Sequence, residues 1–164
     1  MKGKYMKNKE KLSLGFKTGA GLFAFIAIFM GFLDSIKFTS EFGSESGAKL
    51  FNFMLSEEAH HNAGAIIGLA LLILAIAGLG WLLIAKLTKN SSEKRDMIIA
   101  ICTIVCLVIS AILIFLTKTF ILKDVLPEVK EFVSYNLGVG PICWGVFSLI
   151  SAGLLTTSVV IDRK

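Results

Sequence analysis

The sequence predicts an all-α integral membrane protein, a four-transmembrane-helix bundle with short interfacial helices in its two outer loops. Three observations carry that reading. Hydrophobic residues make up 55% of the 164-residue chain and mean hydropathy is +0.77, above the roughly 45–50% apolar content of soluble domains. The stretch Asn62 to Ala85, NAGAIIGLALLILAIAGLGWLLIA, contains no ionisable side chain. At 1.5 Å per residue its roughly 24 positions cover about 36 Å, enough to cross a hydrocarbon layer about 30 Å thick with some tilt. Three further apolar runs complete the set, giving spans near 14–33, 62–85, 97–117 and 141–161 within one domain over 14–161.

Residues 1–13 form a lysine-rich arm, with Lys2, Lys4, Lys7, Lys9 and Lys11 against Glu10 alone. Such an arm is a topology determinant that lies against anionic headgroups. The first apolar run is too long for a signal peptide and lacks a small-residue cleavage site, so it reads as an uncleaved span. Within it Ala20, Ala24, Ala27 and Gly31 share an arc of about 60° at 100° per residue, a flat face for packing against protein. Lys17, near the start, can snorkel to the inner interface.

The connection from Asp34 to His61 is the longest polar one. Its centre, Phe42 to Gly47, reads as a loop. Ala48 to Leu55 is apolar at most positions but too short to span, and so reads as an interfacial helix or a packed cap over the bundle. Ser56 has the character of an N-cap, with Glu57 and Glu58 in the first turn of the next helix, where the macrodipole favours acids. Asp34, Glu57, Glu58, His60 and His61 form the one convergent polar cluster. Glu57 with His60, and Glu58 with His61, stand three residues apart on adjacent turns, a spacing able to hold one divalent cation. Helix capping is the competing and favoured account of the same residues, and no other cofactor is expected.

In the second span Gly64, Gly68, Ala75 and Gly78 again share one arc, with a GxxxG step that permits close backbone approach. Lys86 to Asp96 is a short polar connection. The third span carries Thr103, Cys106, Ser110 and Thr117 within about 60°, and the fourth places Trp144, Ser148, Ser151 and Ser158 on one face. Each stripe is either a hydrogen-bonded packing seam or the lining of a pore made from several copies. Between them, Lys118 to Asn136 is amphipathic, with Pro127 suited to the first turn of a short helix. Trp81 and Trp144 fall near opposite ends of their spans, where interfacial indoles are expected. The thiols of Cys102, Cys106 and Cys143 read as buried filler, and no disulfide framework is implied.

Twelve basic residues lie on one side of this topology and five on the other. The positive-inside rule then predicts cytoplasmic termini, with 162–164 as a tail, in a multi-pass plasma-membrane protein. No basic face with interleaved aromatics points to nucleic acid. Between the span ends no ionisable group other than Lys17 occurs, which lowers the expectation of ion-coupled transport. Protease, nucleotide-binding and thiol-redox motifs are absent from the sequence, and the claudin-like pattern of paired cysteines in the first outer loop is missing. The expected function is helix association, as a homo-oligomer or as an accessory subunit of a membrane complex. An oligomeric channel is the alternative, and a metal-dependent membrane enzyme ranks behind both.

Overall fold

The computed structural model describes residues 2–40, 43–47, 49–55, 63–88, 90–122 and 134–163. The protein is predominantly helical, and four of its helices are long and apolar enough to cross a membrane. In chain order these are α1 (Lys2–Phe29), α3 (Ala63–Leu87), α4 (Glu93–Phe115) and α6 (Val139–Arg163). Short helices α2 (Leu50–Leu55) and α5 (Thr117–Leu122) lie between them. Helix α1 starts well before Leu14. Lys, Met, Glu and Leu dominate the arm, and these unbranched or γ-branched residues lose little rotamer freedom in a helix, so nothing stops it from continuing N-terminally.

Around the core the helices follow the order α1, α3, α4, α6, with α6 closing back onto α1. The α1–α6 seam is the flattest: Ala20, Ala24 and Ala27 are fully buried, and the Ser151 hydroxyl donates to the Ala20 carbonyl at 2.7 Å. On the α3–α4 seam Gly68 lies against Ile114 and Gly78 against Thr103. Leu72, Leu79, Leu107 and Leu155 fill the centre. Leu22, Phe25, Leu74, Ile84, Ile98 and Ile112 turn outward and are more than half exposed, the surface a lipid-facing helix presents.

One end carries a small sheet, so the fold is not all-α. Strands β1 (Ile36–Ser40), β2 (Gly43–Ser46) and β3 (Ser134–Leu137) pair antiparallel in the order β2-β1-β3. The stretch expected as a loop over Phe42 to Gly47 instead supplies β2, in register Lys37 to Ser46, and Gly43 supplies the positive φ of +133° at the reversal. The missing half of the pattern is non-local: β1 pairs on its other side with β3, almost a hundred residues away, with Phe38 opposite Tyr135. Ile36 is buried while Lys37 and Thr39 are exposed, the alternation of a strand with one covered face.

Backbone contacts tie the sheet to the helices. The chain leaves α1 through a 3-10 turn, Met30–Phe32, and Gly140 N–H donates to the Asp34 carbonyl at 3.0 Å while Gly138 N–H donates to Ser35. A Cβ on Gly138 would collide with the Asp34 carbonyl, so only glycine permits this crossing. Helix α2 covers the same end: Leu50 and Met54 are buried, and Phe51 meets Phe32 and Trp144 edge-on at centroid distances of 4.9 and 6.0 Å.

Candidate functional site

The end opposite the sheet holds the site. There the N-terminal part of α1, the C-terminal ends of α3 and α6 and the first turns of α4 surround a cavity of about 650 Å3. Lys9, Glu10 and Lys17 come from α1, Lys86 from α3, and Asp162 and Arg163 from α6. Ser91, Glu93 and Asp96 stand on the α4 side, and the apolar part of the wall is Met97, Ala100, Val159 and Ile161. Each helix places its charged residues here because its apolar run stops here, while the packed core beyond excludes them.

Asp162 joins three helices. One carboxylate oxygen accepts from Lys17 Nζ at 2.7 Å, and the other lies 3.6 Å from Lys86 Nζ. Lys17, expected to snorkel to the inner interface, lines the cavity at this end but is only 4% exposed there, its ammonium held by Asp162. A buried ammonium is tolerated when a carboxylate faces it, and Asp162 does so from the last turn of α6, inside the helix and not in a free tail. Beside this pair Ser13 Oγ and Ser158 Oγ lie 3.0 Å apart, both buried. On the α4 side Asp96 binds Ser91 Oγ and lies 3.5 Å from Arg95 Nε. Arg163 reaches the Met97 sulfur at 2.8 Å, and the Arg95 guanidinium stands 5.6 Å from the centroid of the Trp81 ring. Trp81 is about half exposed, so the guanidinium lies against a ring that also meets the surroundings.

The polar stripes lie inside this chain's own helix core. Thr103, Ser110, Thr117, Ser148, Ser151 and Ser158 are all buried, and Cys106 is partly so. Ser110 connects two seams: its hydroxyl donates to the Gly68 carbonyl at 2.7 Å and receives the Trp144 indole N–H at 3.3 Å. Trp144 is fully buried, so it is a core residue, contrary to the interfacial position expected for it. Thr103 donates back to the Ile99 carbonyl. Thr117 Oγ1 and Ser148 Oγ are buried with no hydrogen-bond partner. The small-residue faces are likewise internal: Gly31 lies under Phe51, Gly64 under Phe120, and Ala75 is fully buried. Cys102 is exposed, not buried filler, and Cys143 is partly buried.

No known protein family, curated protein or solved structure matches the chain. Function therefore rests on the site itself.

Of the outer acidic and histidine cluster, Asp34 is described, its backbone bridging to Lys49. Glu57, Glu58, His60 and His61 lie outside the described residues, as does the amphipathic segment around Pro127. The Lys17–Asp162–Lys86 group was missed as a unit, although a signal for it exists. A lone lysine inside an apolar run calls for a buried partner, and Asp162 is the one acid at the matching end of the last span.

Proposed function

We propose that the chain is a plasma-membrane protein whose four long helices form a transmembrane bundle, with both termini and the 86–96 connection in the cytoplasm. It works by association, as a homo-oligomer or an accessory subunit of a larger membrane complex. The observation that supports this most is the internal use of the polar groups along the helices. Ser110, Trp144 and Ser151 are bonded within the chain, and the small-residue seams are filled by neighbouring helices of the same chain. The core is thereby closed, and a pore lined by those stripes would require it to open.

The small-residue faces on α1 and α3 are occupied internally, so association must use a different surface. The outer sheet has two edge strands, β2 and β3, and edges carry backbone groups that can pair with another chain. Purification in mild detergent with cross-linking tests the proposal. A complex larger than one 17.8 kDa chain, or a stoichiometric companion protein, is expected. A single chain with no companion overturns it, and conductance after reconstitution into liposomes would favour the channel instead.

A further inference from the structure

We draw no further inference here: the strongest candidate, the cavity of about 650 Å3 at the end opposite the sheet, belongs to the site already described, where Asp162 takes Lys17 and Lys86 and Asp96 takes Ser91 and Arg95, and nothing in the structure shows what would fill it.

Discussion

Ser110 and Ser148 are both buried serines of the helix core, yet they stand in opposite situations. The Ser110 hydroxyl closes a chain from the Trp144 indole to the Gly68 carbonyl, whereas Ser148 Oγ has no partner. Ser110→Ala leaves a buried indole N–H and a helix carbonyl without their bond, and is expected to cost about 1–3 kcal/mol. Ser148→Ala removes an unsatisfied group and should be neutral or mildly stabilising. Chemical denaturation of the two variants in the same detergent reads the difference, and equal losses would contradict the assignment. The sequence put both residues on helix faces but left packing and pore lining open. Spacing fixes which residues share a face; it is silent on what stands opposite. Trp144 shows the same limit, since proximity to a helix end says nothing of whether a side chain turns toward lipid or toward α4.

At the scale of elements the long helices were legible because each is announced by a long apolar run, and a run of that length that crosses a bilayer must satisfy its backbone groups within a helix. The sheet was not legible. Its strands are four or five residues long, and its central strand β1 obtains half of its hydrogen bonds from β3, which only the folded helices bring alongside. The contact between α1 and α6 at the other end is equally non-local, and it makes a sharp prediction. Lys17→Met strips Asp162 of its closest cation, and Asp162→Asn leaves a nearly buried ammonium without a countercharge. Each is expected to destabilise by about 1–3 kcal/mol, below the figure for a fully buried pair because Asp162 remains a third exposed. Combined, they should cost less than the sum, since the second change relieves the charge that the first one strands. A double-mutant cycle measured by unfolding in detergent decides this, and strict additivity would show that the pair does not act as a unit.

At the scale of the whole molecule the two ends differ in kind. One is capped by a sheet and α2; the other gathers Lys9, Lys17, Lys86 and Arg163 around an open cavity, and the sequence assigns twelve basic residues to that side against five to the other. The ends of α1, α3 and α6, which are far apart in sequence, converge at that side. If the four long helices span a bilayer, the positive-inside rule predicts that the basic end is the one retained in the cytoplasm, because translocating clustered lysines and arginines is disfavoured. Replacing Cys102, Cys106 and Cys143 with alanine clears the background for single thiols at either end. Ser134→Cys places one on an exposed position of β3, and Ser91→Cys places one on the exposed connection into α4. In intact cells a membrane-impermeant maleimide should label the first and spare the second, and permeabilisation should make both reactive. The reverse pattern would invert the orientation and put the end with the Lys17–Asp162–Lys86 group on the outer side. Labelling of both thiols in intact cells would show that the helices do not separate the two ends across a membrane at all.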